Sequence, residues 1–402
     1  MDVAAYVYPW DVVGDPAAAD LIAGLGLSHV TLAAVYHGTR ALTPRHPGHR
    51  VVVAEHSAAY YPLSTERWDG SVLHPPNAPW TGGTDSFGSA VAALSAAGVP
   101  VHAWVVVNHV DLPGPAEFAV VNAYGDRYPW ALCPAQETVR EYARGVAGDI
   151  GELPGITGVE LESFGWYGWD HLSAHDKVGG VRLTDAEQYL FSLCFCDACD
   201  GAYRAGGLDT DEVRAWVRAA LDPTFAGAPR RGNPTDEPDA LLGAVQRVRA
   251  AVIGDYRAAV VGRIRAARPD LAVLAHASPQ PHRFVSFTGM DVPRAHELFD
   301  GLVVNCWQNL DALVATRAAA DPALHVTASF LAVEGMGGRP ATLAEQGLAA
   351  LAAGANGIRL YHAGLAGAAD LDGIRELTQT VQRGAAKAAL APRGDSAKGA
   401  DR

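Results

Sequence analysis

An alternation of short apolar runs with helix-forming runs constrains this chain more than any other feature. It repeats eight times, and the apolar runs are residues 6–8, 30–36, 101–108, 157–162, 271–276, 302–305, 326–330 and 357–361. These runs are mainly apolar and do not alternate regularly with polar residues, which is typical of strands in a parallel sheet covered by helices. The pattern predicts an α/β protein, an eight-stranded (β/α)₈ TIM barrel.

A doubly wound sheet is the main alternative for such an alternation. That fold usually carries a Gly-x-Gly-x-x-Gly turn after its first strand, where a dinucleotide phosphate binds. The chain has Tyr8-Pro9-Trp10-Asp11 there, which favours the barrel and predicts no organic cofactor. Residues 1–389 are expected to form one catalytic domain, followed by a polar tail, 390–402, that we expect to be disordered.

Two segments exceed what a minimal barrel needs. Residues 37–88, after the second strand, form a long loop rich in His, Tyr, Trp and Pro. Residues 163–238, after the fourth strand, form an insertion with predicted helices at 184–193 and 209–221. Each of these helices begins with a capping-box pattern, and a third such pattern, Thr342 with Glu345, precedes the eighth strand.

Composition narrows the range of partners. The chain has 402 residues and a formal net charge of −13, which disfavours binding to a phosphate backbone. It contains no apolar stretch near the ~18 residues of a membrane span. The first ten residues lack the basic segment of a secretory signal, so we expect a cytoplasmic protein without a membrane partner. The sequence leaves open whether the chain forms a homo-oligomer.

In a barrel, the residues that follow each strand carry the function. Aromatic, imidazole and amide side chains stand at these positions and suit a small carbohydrate or glycoside, because rings stack on sugar faces. The candidates for substrate binding are Tyr8, Trp10, His37, Asn108, Trp166, His171, His276, Asn305, Trp307, Tyr361 and His362.

Three glutamates are candidate catalytic residues. Glu160 and Glu162 share parity on the fourth strand, so both face one side, and Glu162 lies nearer the mouth. Glu160 is either catalytic or an interior salt-bridge partner. Glu334 follows the seventh strand and is either a solvated loop residue or the second carboxylate. A pair across a sugar-sized cleft is what glycoside hydrolysis requires.

The cysteines form a separate pattern. Cys194, Cys196 and Cys199 make a Cys-x-Cys-x-x-Cys cluster, and Cys133 lies upstream. Four thiolates suffice for a closed tetrahedral zinc site, which predicts a structural zinc. The alternative is that they are small core residues.

Three segments together resemble a known family. They are CPAQETVREY at 133–142, GVELESFG at 158–165 and CFCDAC at 194–199. They are similar to the zinc-containing β-galactosidases of glycoside hydrolase family 42 and related glycosidases, which are (β/α)₈ barrels. The resemblance implies that Glu162 is the acid/base, that Glu334 is the nucleophile and that the four cysteines bind zinc.

One position departs from that family. Leu161 precedes Glu162, where the family has an asparagine that contacts the sugar 2-hydroxyl. The sequence therefore favours a divergent glycoside hydrolase over a β-galactosidase. Two other functions stay open: a lyase, isomerase or metal-assisted hydrolase that uses a histidine-rich mouth, and a sugar-binding barrel without catalysis.

Overall fold

A computed structural model describes residues 2–81, 83–112, 116–169, 176–228, 240–277 and 289–390. The strands are β1 (Asp2–Val7), β2 (His29–Tyr36), β3 (Thr39–Leu42), β4 (Val51–Ala54), β5 (Ala58–Ala59), β6 (Val101–Val106), β7 (Ala119–Val121), β8 (Arg127–Leu132), β9 (Gly158–Glu162), β10 (Ala272–Ala277), β11 (Gly301–Asn305), β12 (His325–Leu331) and β13 (Gly357–Tyr361). The helices are α1 (Ala18–Ala23), α2 (Thr65–Trp68), α3 (Ser86–Ala96), α4 (Glu137–Glu152), α5 (Asp185–Phe191), α6 (Asp197–Ala205), α7 (Thr210–Phe225), α8 (Ala240–Ala267), α9 (Asp311–Ala319), α10 (Leu343–Ala352) and α11 (Ala368–Leu390).

Eight parallel strands close into a barrel. Their order is β1-β13-β12-β11-β10-β9-β6-β2, and β2 pairs with β1 to complete the ring. The (β/α)₈ prediction is therefore confirmed. β13, the eighth strand of the barrel, has the predicted bounds, whereas β1 begins at Asp2 and not at Tyr6. The start of β1 was not predicted, because a charged residue such as Asp2 does not resemble the beginning of a buried strand. In the structure Asp2 is paired, since its carboxylate accepts a hydrogen bond from buried Arg359 at 2.8 Å.

Helix capping follows the predicted pattern at two of three sites. Thr184 and Glu187 form a reciprocal capping box at the start of α5, and Asp209 accepts from two backbone amides of α7. The third prediction is wrong. Pro340 starts a short 3₁₀ helix, so the hydroxyl of Thr342 turns back to the carbonyl of Arg339 and does not cap α10.

Two hairpins were not predicted. β3 and β4 pair within the long segment after β2, and β7 pairs with β8 in the segment after β6. Exposed and buried residues mix along β8, so it lacks the apolar run by which the barrel strands were identified. The second hairpin matters for the cysteines, because Cys133 directly follows β8.

The helices α5, α6 and α7 lie between β9 and α8, where the insertion was predicted. In the parts of the chain that the structure describes, no helix is long and apolar enough to cross a membrane. Residues 391–402 of the predicted tail lie outside those parts.

Candidate active site

Glu162 is the last residue of β9 and stands at the carboxyl end of the barrel. Its side chain is half-buried, and its Oε2 accepts a hydrogen bond from Trp104 Nε1 at 2.7 Å. Trp104 lies on the neighbouring strand β6 and packs on Tyr6, with ring centroids 4.7 Å apart. Because Trp104 is fully buried, this charge-assisted bond holds the carboxylate in a fixed place.

His276 lies beside Glu162 on the next strand. Ala275 pairs with Leu161 in the register of β10 and β9, which puts the following residues side by side. His276 Nε2 lies 3.0 Å from the Tyr6 hydroxyl, and that hydroxyl donates to Glu160 Oε2 at 2.9 Å. Since an ionised carboxylate can only accept, the Tyr6 hydrogen goes to Glu160, and His276 Nε2 is therefore the donor to Tyr6.

Glu160 belongs to the interior of the barrel, one layer below Glu162. It is fully buried, and its Oε1 accepts from Arg359 Nε at 2.5 Å. Burial alone would raise the pKa of Glu160, but Arg359 and two nearby histidines hold that pKa well below its ordinary value. This geometry fits the interior salt-bridge reading of Glu160, and we propose that it positions Tyr6 and His276.

Arg359 was not predicted as a functional residue, although a charge within the apolar eighth strand was a visible signal. We expect Arg359→Met to lower the free energy of unfolding by about 3–5 kcal/mol, because it leaves Glu160 buried without its partner. Urea unfolding of this variant, of Glu160→Gln and of the double variant measures the effect. Additive losses would show that the two residues are not coupled.

One wall of the mouth is built from stacked rings after β1 and β13. Tyr8 stacks on Trp10 at 4.4 Å and on His362 at 4.9 Å. Tyr8, Trp10 and His362 are all nearly fully buried, so these three rings pack tightly against one another. Burial lowers the pKa of His362 well below its ordinary value, which keeps this imidazole neutral.

A second wall continues from β2 to the segment after β9. His37 lies between Tyr36 and His109, with centroids 4.2 Å from each, and His109 stacks on Tyr167 at 4.7 Å. Burial lowers the pKa of His37, although Glu162 is near enough to oppose that shift. His109 and Tyr167 were absent from the predicted binding set.

The third wall comes from β11 and β13. Asn305 Oδ1 accepts from the backbone amide of Trp307 at 2.9 Å, and this turn presents the Trp307 ring with 42% of its surface exposed. The ring lies 5.2 Å from that of Tyr361, whose hydroxyl is 3.2 Å from that of Tyr36. An exposed ring at a cleft edge is suited to stacking on a sugar.

Two predicted binding residues point away from the mouth. Asn108 is buried; its amide donates to the Gly165 carbonyl and its Oδ1 accepts from Tyr256, so both ends are used. Trp166 is also buried, donates to the carbonyl of Arg249 and lies under that guanidinium at 4.0 Å. Both side chains pack within the segment after β9, and their role in substrate binding stays a prediction. His171 lies outside the described residues.

Glu334 begins the short 3₁₀ helix Glu334–Met336, beyond the end of β12. Its side chain is exposed, and its backbone amide donates to Asp370 Oδ1 at 3.1 Å. It therefore differs from Glu162, which is half-buried and hydrogen-bonded. The role of Glu334 as second carboxylate stays a prediction.

The four predicted zinc ligands come together. Cys133 Sγ lies 3.5 Å from Cys199 Sγ and 3.7 Å from Cys196 Sγ, and all four sulfurs, including that of Cys194, lie within 4.8 Å of one another. Four thiolates at ~2.3 Å from one zinc would be about 3.8 Å apart. The set therefore fits a structural zinc that would join hairpin β7–β8 to α6.

Cys306 stands apart from this cluster. It is buried beside the carbonyl of Val304, and burial raises the pKa of its thiol to about 12. This thiol packs in the core.

No family model matches the chain, and no curated protein matches it. Solved structures do. A β-galactosidase from psychrophilic Marinomonas ef1 matches with a TM-score of 0.54 at 11% identity, over 97% of this chain and 61% of its own. The catalytic domain of a β-amylase from Paenibacillus polymyxa matches with a TM-score of 0.54 at 10% identity, over 94% of this chain and 98% of its own.

A β-galactosidase from Bacillus circulans sp. alkalophilus matches with a TM-score of 0.53 at 11% identity, over 95% of this chain and 56% of its own. The chain thus spans about three fifths of the length of these β-galactosidases. At sequence identities of 10–11%, the similarity to these structures shows only a shared fold. This chain has the (β/α)₈ barrel fold found in these glycosidases, in a strongly diverged sequence.

Proposed function

We propose that this chain is a glycoside hydrolase that cleaves a small saccharide or glycoside at the carboxyl end of the barrel. The observation that carries the proposal is Glu162, a half-buried carboxyl group at the mouth, held by Trp104 and surrounded by aromatic rings. The fold shared with solved β-galactosidases and a β-amylase supports it.

Glu162 would act as the acid/base. Its protonated form would donate to the glycosidic oxygen while positive charge develops on the sugar ring, and the carboxylate formed would later take a proton from water. Trp104 Nε1 is already 2.7 Å from Glu162 Oε2, so its hydrogen bond would strengthen as that carboxylate forms. His276 lies next to Glu162 and would contact the substrate from β10.

Glu334 is our proposal for the second carboxylate, because it follows β12 as the family resemblance implies. Its exposed position requires that it contact the sugar from the rim of the mouth. We expect Glu334→Gln to lower kcat/KM at least about 10²-fold with the fold unchanged. Steady-state kinetics on an aryl glycoside measures this, and unchanged kinetics would remove Glu334 from the mechanism.

Trp104 provides a separate test of how Glu162 is held. We expect Trp104→Phe to lower kcat/KM about tenfold, because it removes a hydrogen bond to a charged group worth ~1.5 kcal/mol or more. Phenylalanine keeps a ring against Tyr6. Kinetics and thermal unfolding measured together check the prediction, with Trp80→Phe as the matched control. A Trp104→Phe variant with full activity would contradict it.

A second function has one specific observation in its favour. Histidines gather at the mouth, where His37, His109, His276 and His362 all contact rings of the walls. Imidazoles suit the proton transfers of a lyase or an isomerase. Such an enzyme would form an unsaturated or rearranged product from the sugar, and a hydrolase would not.

A panel of nitrophenyl glycosides tests the proposal. The wild-type protein should release nitrophenol from at least one sugar, and the matching free sugar should raise the melting temperature. A sugar that stabilises the protein while all of its glycosides stay intact would instead indicate a binding barrel without hydrolysis.

A further inference from the structure

A buried arginine lies where α8 meets the helices of the insertion. Arg249 is 5% exposed, and its guanidinium carbon lies 4.0 Å above the ring of Trp166 and 5.6 Å from that of Tyr189 on α5. Its Nη1 has no hydrogen-bond partner, and no carboxylate in the described parts of the chain forms an ion pair with it. Because a guanidinium stays charged in a protein, Arg249 is a buried cation without a matching carboxylate.

The cysteine cluster lies beside this arginine. Cys194 follows α5, and Cys199 lies in the first turn of α6. The helix α6 packs on α8 at the residue before Arg249, since a Cβ added at Gly206 would come within 2.3 Å of the Val248 side chain. Burial would lower the pKa of Arg249, but nearby tyrosine hydroxyls and the thiols of Cys199 and Cys194 hold that pKa above its ordinary value. The guanidinium and the sulfurs therefore interact electrostatically.

A zinc-loaded cluster would need a counter-charge. Four thiolates carry four negative charges and Zn²⁺ two positive charges, so the loaded site keeps two net negative charges. Cys133, Cys194 and Cys199 are buried, and an uncompensated charge is costly in such a place. The start of α6 supplies part of the compensation, because Cys196 is its N-cap and the amino end of a helix favours negative charge. A full positive charge beside the sulfurs would supply more.

Two other arginines of the insertion helices are less suited to this role. Arg204 on α6 and Arg214 on α7 are at least partly exposed. Each already pairs with a carboxylate, Asp200 at 3.1 Å and Asp211 at 2.9 Å. Water and these carboxylates weaken their effect on the cluster. Arg249 is buried and lacks such a pair, so its charge acts on the sulfurs at a lower effective dielectric constant.

An anion bound in a neighbouring cavity is the alternative partner for Arg249. The cavity has a volume of about 700 Å³ and lies between α8 and residues 289–299. Its lining contains three arginines, Arg249 among them, and three carboxylates. Equal numbers of both signs give this cavity no preference for an anion. The loaded cysteine cluster, with two net negative charges, is therefore the favoured partner.

We propose that Arg249 is the counter-charge of the zinc-loaded cysteine cluster, and that this attraction holds α8 against α5 and α6. The inference rests on the structural zinc that the four cysteines fit, and it is independent of the proposed hydrolysis. It gives Arg249 a positioning role toward the metal site besides its packing on Trp166. Zinc affinity should therefore depend on the charge of the side chain at this position, and not on its volume.

The zinc affinity of three variants of the full chain tests this charge, measured by competition with a chromophoric chelator under reducing conditions. Arg249→Met keeps an apolar chain over Trp166 and should lower the zinc affinity at least about tenfold, the usual effect of losing an outer partner of a metal site. Arg249→Lys keeps the charge and should bind zinc at least about threefold more tightly than Arg249→Met. Arg247→Met is the matched control, because Arg247 is exposed on the same helix, and it should match the wild-type chain.

Cobalt provides a second readout that a packing role would not change. A nearby positive charge lowers the energy of the sulfur electrons. In the cobalt-loaded chain, Arg249→Met should therefore shift the sulfur-to-cobalt charge-transfer band to longer wavelength, whereas Arg249→Lys should leave it in place. Where Arg249→Met does not fold, Arg249→Gln takes its place in both measurements.

Three results would overturn the proposal: an Arg249→Met variant with wild-type zinc affinity, an equal loss of affinity in Arg249→Met and Arg249→Lys, or a charge-transfer band that does not move. Unchanged zinc affinity, together with stabilisation by added sulfate that only the wild-type chain shows, would assign Arg249 to an anion in the cavity. A wild-type chain that binds no zinc would overturn both the metal site and this inference. The glycoside panel tests the proposed hydrolysis separately.

Discussion

Glu162→Gln should lower kcat/KM for an aryl glycoside about 10²–10⁴-fold, the usual contribution of a positioned general acid/base. Glutamine has nearly the same shape, and its amide oxygen can still accept from Trp104 Nε1, so the hydrogen bond and the fold should persist. The variant removes the transferable proton and little else. The loss should be larger for glycosides with poor leaving groups, because these depend more on protonation.

Steady-state kinetics and thermal unfolding of the two proteins measure this prediction. Glu345→Gln is the matched control, since Glu345 is an exposed glutamate on the outer helix α10. The control should keep wild-type kinetics. A Glu162→Gln variant with wild-type kcat/KM and an intact fold would contradict the assignment of the acid/base.

Cys199→Ser should remove the zinc of the cysteine cluster and lower the free energy of unfolding by more than about 4 kcal/mol, as loss of a metal site can. Cys199 and Cys133 are buried with their sulfurs 3.5 Å apart, and a serine hydroxyl is a poor replacement for a thiolate ligand. In a structural site the metal-binding energy contributes directly to folding.

Zinc retained through gel filtration and denaturant unfolding measure the effect of Cys199→Ser. Cys306→Ser is the matched control, because Cys306 is equally buried but lies outside the cluster. Its zinc content should match that of the wild-type chain. If Cys199→Ser also kept its zinc and its stability, the four cysteines would be core residues without a metal.

The barrel could be predicted from sequence because each of its strands is buried on both faces. Such a strand has a mainly apolar sequence along its whole length, which is visible without the structure. β13 shows this most clearly, with both ends at the predicted residues. Hairpin β7–β8 escaped prediction because β8 mixes exposed and buried positions, and nothing in the sequence reports which strand it pairs with.

The arrangement around Glu162 depends on contacts between distant parts of the chain. Trp104 lies 58 residues from Glu162, and Arg359 lies 199 residues from Glu160, so neither partner could be read from local spacing. Asn108 and Trp166 follow strands as mouth residues do. Their side chains nevertheless face Tyr256 and Arg249 of α8, a direction that only the packing of that helix decides.

The cysteine cluster, in contrast to the contacts around Glu162, could be predicted largely from local spacing in the sequence. The short Cys-x-Cys-x-x-Cys spacing already places three sulfurs near one another, because Cys196 caps α6 and Cys199 lies in its first turn. Only Cys133 is distant in sequence, 61 residues before Cys194, and it lies near the other three cysteines because it directly follows β8. Local spacing therefore identified the ligand set, whereas the catalytic pair across the mouth needed tertiary structure.

Hydrolysis in ¹⁸O-labelled water tests the central proposal most directly. The wild-type protein is incubated with a glycoside from the panel, and both products are examined by mass spectrometry. The proposal predicts one ¹⁸O in the released sugar, at its anomeric hydroxyl, and none in the aglycone; Glu162→Gln should form neither product at a comparable rate. An unsaturated or rearranged sugar without label, or label in the aglycone, would contradict it.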